Sequence, residues 1–301
     1  MTNAELERRL ATARDCETWV AVTAEFFGGG ALAFGHGTDN ANDEAYWLLR
    51  HLQGWRDVDW DSPPPPELAA KGAAIAARRV TERRPLAYLL GEAYFAGLRF
   101  IVDERVLVPR SPLAEVLERG FAPWCMPRPH ERVLDIGTGS GCIAIAAAHY
   151  CPDVRVDATD LSAAALEVAA QNVALHGLAS RVRLVAADLF PPGEQRYRII
   201  VSNPPYVPQA DLETLPAEYR HEPAMALASG VEGLDAPRRI LRGAAERLTE
   251  DGVLFMEVGA SASAFVAAHP RLKTTWLEFE RGGDGVLVTT AEEIKEFLSG
   301  A

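Results

Sequence analysis

Apolar residues recur at helical spacing through the first 90 positions of the chain, and the alternation typical of strands does not occur there. The pattern predicts three helices, at residues 4–13, 43–52 and 67–84. The prolines at positions 63–66 separate the second helix from the third, because proline cannot continue a helix but is accepted in its first turn. We therefore predict a small helical domain over residues 1–90.

A short segment with strand character follows the helical region. Residues 93–108 are rich in aromatic and β-branched side chains on both sides of Gly97, a composition that predicts a β-hairpin. We assign residues 91–115 as a hairpin connector between two domains.

From residue 131 onward, short apolar runs alternate with helical patterns. Strands are predicted at residues 133–136, 154–159, 182–186, 199–202 and 253–258, and helices at residues 142–150, 162–176, 235–248 and 261–268. This alternation predicts an α/β domain over residues 116–301, with a mostly parallel sheet and helices on both faces. Residues 275–280 and 286–289 flank a glycine-rich turn and predict an antiparallel hairpin at the end of the sheet.

Composition excludes several classes of protein. The apolar runs are shorter than the ~20 residues that cross a bilayer, and residues 1–9 lack the hydrophobic region of a signal peptide. The four cysteines show no paired CxxC spacing, so we predict neither a zinc site nor a disulfide framework. We expect a cytoplasmic protein that binds no metal and no membrane.

The net charge of −12 bears on the partner. Binding to nucleic acid normally uses clustered Lys and Arg to neutralise phosphates, so we expect no direct requirement for nucleic acid. The charge is compatible with a basic protein partner. It is equally compatible with an acidic surface that only maintains solubility.

A glycine turn marks the first candidate site. Gly137, Gly139 and Gly141 follow a predicted strand and precede a predicted helix, where a doubly wound fold lets the backbone approach a ligand. The GxGxG spacing differs from the GxGxxG of dinucleotide-binding proteins, which makes a pyrophosphate ligand less favoured. Asp135 precedes the turn and would attract a cationic ligand. S-adenosylmethionine, with its amine and its sulfonium, fits that description.

Two further acids end the next two strands. Asp160 lies 19 residues after Gly141, near the position at which a carboxylate reaches ribose hydroxyls in nucleotide-binding folds. The alternative is that Asp160 caps the helix that begins near residue 162. Asp188 is followed by Leu189 and could accept a hydrogen bond from an adenine amine; alternatively it is a solvated carboxylate at a loop end.

The run Asn203-Pro204-Pro205-Tyr206 ends the fourth predicted strand. The Asn203 side-chain oxygen and the Pro204 carbonyl can each accept one N–H of a planar NH2 group, which would aim its nitrogen at a methyl donor. Tyr206 offers a flat face for a planar amide or base. The alternative is a rigid turn without a ligand. The position of the motif, at a strand end that faces the glycine turn, favours the ligand-binding interpretation.

These motifs resemble those of class I S-adenosylmethionine-dependent methyltransferases, and in particular the protein-(glutamine-N5) methyltransferases. Residues 135–148 read DIGTGSGCIAIAAA, very similar to that family's cofactor loop, and residues 203–206 match its substrate motif. The resemblance extends to residues 36–40, 95–98, 102–112, 219–223, 276–279 and 282–285. These stretches resemble the branch that methylates a glutamine of large-subunit ribosomal protein three. Ser111-Pro112 stands where the branch acting on peptide release factors typically has an acidic residue and threonine.

The resemblance implies cofactor contacts from the glycines and Asp160, a cofactor-side position for Pro109 and Arg110, and binding of the glutamine amide by Asn203 and Pro204. The full set of predicted cofactor residues is Asp135, Gly137, Thr138, Gly139, Gly141, Asp160, Leu161, Asp188, Leu189, Asn203, Pro109 and Arg110. The predicted catalytic residues are Asn203, Pro204, Pro205 and Tyr206. The helical domain would select the protein substrate.

Three alternatives remain open from the sequence: a glutamine methyltransferase for release factors, an adenine-N6 methyltransferase for nucleic acid, and an assembly factor that binds S-adenosylmethionine without turnover. The glycine spacing opposes a fourth, an NAD-dependent oxidoreductase. Two residues also have open roles. Glu257 could order the site or make a structural hydrogen bond, and His221 has no Ser or Cys partner nearby in the sequence, which favours loop anchoring.

Overall fold

The computed structural model describes residues 1–300 and contains two compact units. The helical unit comprises residues 1–92 and the separate segment 216–221. The sheet unit comprises residues 93–215 and the chain from residue 222 onward. The segment 93–115, predicted as a connector, thus groups with the sheet unit, and residues 216–221 join a unit to which the sequence did not assign them.

Five helices form most of the helical unit: α1 (Asn3–Ala11), α2 (Cys16–Gly28), α3 (Ala41–Leu52), α4 (Glu67–Glu82) and α5 (Leu86–Leu90). The α1, α3 and α4 helices lie where the apolar spacing predicts them. The side chain of Asn40 caps α3 by accepting from the backbone N–H of Asp43 at 3.0 Å. Asp15 caps α2 in the same way, at 2.6 Å from Thr18 N.

A buried ion cluster lies inside the helical unit. Arg79, which is wholly buried, donates to Glu44 at 2.9 Å and to Glu218 at 3.1 Å. Glu218 also accepts from Arg83 at 2.7 Å and from the backbone N–H of Ala33 at 3.0 Å. Burial alone would raise the pKa of Glu218, but these hydrogen bonds lower it to about 2. Glu218 is therefore charged, and its ion pairs hold the segment 216–221 in this unit.

The sheet unit contains nine strands and six helices within the described residues. In chain order these are β1 (Glu92–Phe95, beginning at the unit boundary), β2 (Leu98–Ile101), α6 (Leu113–Glu118), β3 (Arg132–Ile136), α7 (Cys142–Tyr150), β4 (Arg155–Asp160), α8 (Ala163–Leu175), β5 (Val182–Ala186), β6 (Tyr197–Ser202), α9 (Asp235–Arg247), β7 (Leu248–Glu257), α10 (Ala262–Ala268), β8 (Thr275–Trp276), β9 (Val286–Thr290) and α11 (Ala291–Ser299). Short 3-10 helices at Gln209–Thr214, Ala224–Ala226 and Gly259–Ser261 lie in the connecting loops.

Seven strands form one sheet in the order β5-β4-β3-β6-β7-β9-β8. The pairs among the first five strands are parallel, and β9 is antiparallel to both β7 and β8. This confirms the predicted α/β class and the antiparallel C-terminal hairpin. The predicted strand at residues 275–280 is shorter than expected, because only Thr275 and Trp276 pair with β9.

The centre of the sheet is a switch point for the connections. The β3 strand pairs with β4 on one side and with β6 on the other, in registers that place Ile136 beside both Thr159 and Ser202. Three strands therefore end at the same edge, and the loops that follow them diverge from it. In open α/β sheets this is the position at which ligands bind. Behind it lies a core that includes Leu134, Ile200, Leu254, Met256 and Leu287.

The predicted hairpin around Gly97 is present as a two-stranded sheet of β1 and β2. Its turn consists of Ala96 and Gly97, with φ of 48° and 70°. Both values lie in the left-handed region, as in the two-residue turns that match the twist of a hairpin. The sheet ends at Ile101, so residues 102–108 are not part of it.

Candidate active site

A cavity of about 390 Å³ lies in the sheet unit at the carboxyl ends of the parallel strands. Its size is within the range of small-molecule sites. Residues that follow four strands line it: Gly137 and Gly139 after β3, Asp160, Leu161 and Ser162 at β4, Ala187, Asp188 and Leu189 after β5, and Asn203 and Pro205 after β6. The structure thus brings the glycine turn and the Asn-Pro-Pro-Tyr motif to one cavity.

Glycine is required at the turn for two different reasons. Gly137 and Gly139 have φ of 72° and 55°, and a Cβ on either would meet no atom within 4 Å, since both positions face open space. Their backbone is therefore accessible to a ligand in the cavity. Gly141, at φ 82°, does not line the cavity; a Cβ there would lie 3.3 Å from the side chains of Ala169 and Ile145. Its role is close packing of the turn against α8.

Asp160 connects the glycine turn to the end of β4. Its Oδ2 accepts from the backbone N–H of Gly139 at 2.9 Å, and its Oδ1 accepts from the N–H of Ser162 at 2.8 Å. The side-chain cap of α8 is Ser162, which accepts from Ala165 N, so the helix-capping alternative for Asp160 does not describe its position. Asp160 lines the cavity, where each carboxylate oxygen retains a lone pair for a ligand hydroxyl.

Asp135 does not line the cavity. It is wholly buried, and its Oδ2 accepts from Thr138 Oγ1 at 2.6 Å and from the backbone N–H of Ala144 at 3.1 Å. Burial raises the pKa of this carboxyl to about 7. The expectation that Asp135 faces a cationic ligand directly is therefore corrected: this side chain, with Thr138, fixes the glycine turn to the start of α7.

Asp188 lies on the cavity wall and is half exposed, but its carboxylate is already paired. Arg239, from α9, donates to Asp188 Oδ2 at 2.7 Å, and this hydrogen bond lowers the pKa of Asp188. Leu189 lies beside it on the wall. A hydrogen bond from an adenine amine to Asp188 would therefore share this carboxylate with Arg239.

The substrate motif begins at the end of β6, where Ser202 pairs with Ile136 of β3. Asn203 and Pro205 line the cavity, whereas Pro204 is buried. Within residues 1–300 the Asn203 side chain makes no hydrogen bond, so its amide is available to a ligand. Tyr206 does not line the cavity: its hydroxyl donates to Glu257 at 2.9 Å. The flat face predicted for Tyr206 is therefore not part of the cavity wall.

Pro109 and Arg110 also lie off the cavity wall. Arg110 makes a bidentate ion pair with Glu222, at 2.6 and 2.7 Å, and Glu222 accepts further from the backbone N–H of Val108 at 3.1 Å. The predicted cofactor-side position belongs instead to the preceding residues 105–107, which line the cavity. The Arg110–Glu222 pair fixes the irregular segment that carries Pro109 and Arg110.

Sequence reasoning missed one wall of the cavity. The segment 223–230 supplies Pro223, Met225, Ala226, Ala228, Ser229 and Gly230, and the start of α9 adds Asp235, Ala236 and Arg239. A parallel bridge between Val207 and Ala228 joins this segment to the chain that follows Tyr206. The only signal in the sequence was the match at residues 219–223. His221 accounts for part of it: its Nε2 lies 3.0 Å from the Glu82 carbonyl oxygen in the helical unit, an anchoring contact.

The charges on the wall favour a cationic ligand. Asp160 and Asp235 contribute negative charge, while Asp188 is balanced by Arg239, and Arg105 by its ion pair with Asp103 at 2.8 Å. Apolar side chains such as Leu161 and Leu189 complete the wall. Accessible glycine backbone, a carboxylate at the end of β4 and a net negative wall fit S-adenosylmethionine.

The strand order and a cavity at its switch point define a class I methyltransferase. The model of the methyltransferase small domain family matches residues 122–220. A methyltransferase from Pyrococcus furiosus is a similar solved structure, with a TM-score of 0.47 and 19% identity over 65% of this chain and 89% of that chain.

Relatives in sequence are much more similar. The ribosomal protein uL3 glutamine methyltransferase of Bordetella pertussis is 48% identical over 269 residues, which cover 87% of this chain and 90% of the relative. The protein of the same name from Neisseria meningitidis serogroup B is 45% identical over 278 residues, covering 89% and 90%. The chain belongs to the family of ribosomal protein uL3 glutamine methyltransferases. This confirms the predicted enzyme class, with S-adenosylmethionine as the methyl donor.

The described residues contain neither a candidate metal site nor a candidate membrane-spanning helix. No cluster of three or more His, Cys, Asp or Glu side chains among residues 1–300 is arranged to hold a metal ion. None of the helices in that range is both long and apolar enough to cross a membrane.

Proposed function

We propose that this enzyme transfers a methyl group from S-adenosylmethionine to the side-chain amide nitrogen of a glutamine in ribosomal protein uL3. The observation that carries the proposal is the position of Asn203. Its unpaired side-chain amide lies on the same cavity wall as Gly139 and Asp160. The names of relatives that are 45–48% identical to this chain support the choice of substrate.

S-adenosylmethionine supplies an electrophilic methyl group on a positively charged sulfur. In the transfer, a bond forms between the glutamine nitrogen and the methyl carbon, the carbon–sulfur bond breaks with its electrons passing to sulfur, and one amide proton is released to water. An amide nitrogen is a poor nucleophile because its lone pair is delocalised. The protein's task is therefore to orient the amide rather than to deprotonate it strongly.

Asn203 and Pro204 perform that orientation in the proposal. The Asn203 side-chain oxygen and the Pro204 carbonyl each accept one N–H of the glutamine amide, which fixes the plane of the NH2 group. Orientation of two bound reactants can supply roughly 7–11 kcal/mol of barrier reduction, so no strong general base is needed. Pro205 helps to keep the turn rigid, since its φ is fixed by its ring.

The rest of the substrate would be recognised outside the cavity. We propose that the helical unit selects the protein, and that the net charge of −12 attracts a basic ribosomal protein. Association should then slow as salt increases, because screening weakens the attraction between exposed charges. The proposed substrate places the enzyme in the cytoplasm, where ribosomal proteins are made.

The test is a methyl-transfer assay with isotope-labelled S-adenosylmethionine. Purified uL3, a peptide release factor, ribosomal RNA and duplex DNA are offered separately, with the Asn203→Ala variant as the inactive control. We expect label in uL3, and mass spectrometry should assign one added methyl group to a glutamine. Label in the release factor alone would move the substrate to the sister branch, and label in nucleic acid alone would refute protein methylation.

A further inference from the structure

A buried carboxylate lies beside the substrate motif without contacting the cavity. Glu257 is the last residue of β7, next to Met256, which pairs with Ser202 of β6. Asn203 follows Ser202, so Glu257 and the motif begin at adjacent strand ends. Both oxygens of Glu257 are used: Oε2 accepts from the Ser111 hydroxyl, and Oε1 accepts from the Tyr206 hydroxyl at 2.9 Å.

Tyr206 is held at two further points by the residues after Glu257. The Ser261 hydroxyl donates to the Tyr206 carbonyl oxygen at 2.7 Å. Gly259 lies against the ring, where an added Cβ would be 2.6 Å from Cε2 and Cζ. Its φ of 43° also lies in the left-handed region. The hydroxyl, the ring and the carbonyl of Tyr206 are thus all fixed by residues 257–261.

Fixing Tyr206 also constrains Asn203. Pro204 and Pro205 lie between them, and each proline ring locks its own φ and restricts the residue before it. The four residues therefore form a stiff turn with one end in β6 and the other end at Tyr206. Small displacements of the Tyr206 side chain would be transmitted to Asn203 instead of being absorbed between the two.

We infer that Glu257 is a positioning residue, which holds the Tyr206 hydroxyl so that the turn presents Asn203 and the Pro204 carbonyl to the glutamine amide. This inference rests on the proposed function for its kinetic consequence. Ser111 completes the arrangement: its hydroxyl donates to Glu257 and accepts from the backbone N–H of Leu113 at 3.2 Å, which fixes the carboxylate in turn. Burial favours the protonated form and raises the pKa of Glu257, whereas the two hydroxyl hydrogen bonds favour the carboxylate.

The experiment is a double-mutant cycle with Glu257→Gln and Tyr206→Phe. Tyr206→Phe keeps the ring and removes only the hydroxyl. We expect each variant to lower kcat by about tenfold or more, since the hydrogen bond that fixes the Tyr206 hydroxyl is weakened or lost, while the affinity for S-adenosylmethionine is unchanged. The kcat of the double variant should be no lower than that of the less active single variant, because both changes act on the same hydrogen bond.

The chain supplies a matched control in the same sheet. Asp157 is buried on β4 and accepts from the hydroxyl of buried Tyr197 at 2.8 Å, and neither residue lines the cavity. Asp157→Asn and Tyr197→Phe should lower the melting temperature and leave kcat of the folded enzyme unchanged. Wild-type kcat in Glu257→Gln and Tyr206→Phe, or losses that multiply in the double variant, would overturn the inference.

Hydrogen exchange separates this inference from the substrate assignment. In Glu257→Gln, the backbone N–H groups of Tyr206, Val207 and Gln209 should exchange faster than in the wild type, while those of β4 should not. This measurement needs no substrate. A wild-type enzyme that fails to methylate uL3 would refute the proposed function alone, and unchanged exchange at Tyr206, Val207 and Gln209 would refute the positioning role.

Discussion

The backbone N–H of Gly139 donates a hydrogen bond of 2.9 Å to Oδ2 of Asp160. This bond joins the glycine turn after β3 to the end of β4, so that two walls of the cavity are fixed relative to each other. The carboxylate holds the turn, and we propose that it also accepts hydrogen bonds from ligand hydroxyls.

Asp160→Asn tests the second role. We expect it to weaken binding of S-adenosylmethionine by about 1.5–3 kcal/mol, because charge-assisted hydrogen bonds are lost. The control is Asp157→Asn on the same strand, which lies off the cavity and should leave affinity unchanged. Isothermal calorimetry measures both. Equal affinities for the wild type and Asp160→Asn would remove this residue from the cofactor site.

Gly139→Ala tests whether the glycine turn must stay open. Alanine there adds the strain of a left-handed φ and a methyl group that projects into the cavity, so cofactor affinity should fall steeply. Gly177→Ala is the matched control: its φ is 66° and its Cβ would also meet no atom within 4 Å, but it lies outside the cavity. Both variants should lose similar stability, about 1 kcal/mol. If both bind the cofactor like the wild type, the backbone of Gly139 does not approach it.

The raised pKa of Asp135 predicts that the free energy of unfolding depends on pH. Its pKa is raised from 3.8 to about 7 in the folded protein, so the folded state retains a proton that the unfolded state releases. This contribution to stability is complete below pH 3.8 and is lost as the pH rises toward 7, at about 1.4 kcal/mol per pH unit. Asp135→Asn should abolish that slope in urea unfolding of the cofactor-free protein. An identical pH profile in the variant would contradict the assignment.

Mutation of the buried ion cluster in the helical unit should greatly lower the free energy of unfolding. Arg79→Met leaves Glu44 and Glu218 buried without their shared partner, and should cost about 3–5 kcal/mol in the free energy of unfolding. Arg78→Met is the control, since Arg78 is half exposed and pairs with Glu82 on the same helix. Arg78→Met should change the free energy of unfolding by no more than about 1 kcal/mol. Similar losses in the two variants would show that burial of Arg79 does not matter.

The sequence predicted those helices and strands whose apolar pattern ends at recognisable turn residues. The β5 strand and α7 occur at the predicted residues, because turn residues flank a short apolar run in each case. The α2 helix was missed since its buried residues, among them Trp19, Val22 and Phe27, leave little of the polar face that marks an amphipathic helix. The α6 and α11 helices were also missed. A capping box at Thr290 and Glu293 does mark the start of α11.

The candidate site was predictable where it depends on strand ends. Parallel strands end at a common edge, so Gly139, Asp160 and Asn203 could be placed together from their positions after β3, β4 and β6. The wall from residues 223–230 could not, since it lies in a long irregular stretch, and its place is fixed by the bridge between Val207 and Ala228. The sequence also could not predict the direction in which the side chains of Asp135 and Arg110 point. Each was expected to face the cofactor and is occupied by hydrogen bonds elsewhere.

Asn203 orients the glutamine amide in the proposed mechanism, and replacing it separates chemistry from cofactor binding. Asn203→Ala removes one acceptor for the glutamine amide and leaves the glycine turn and Asp160 intact. Turnover should fall by about 100-fold or more, on the scale of losing a group that orients the reacting nitrogen.

The most direct measurement is steady-state methyl transfer to uL3 by Asn203→Ala, together with calorimetry of S-adenosylmethionine binding to the same preparation. A large fall in kcat with little change in cofactor affinity is the predicted result. Wild-type kcat in the folded variant would contradict this role of Asn203, because the amide could then be aligned without its side chain.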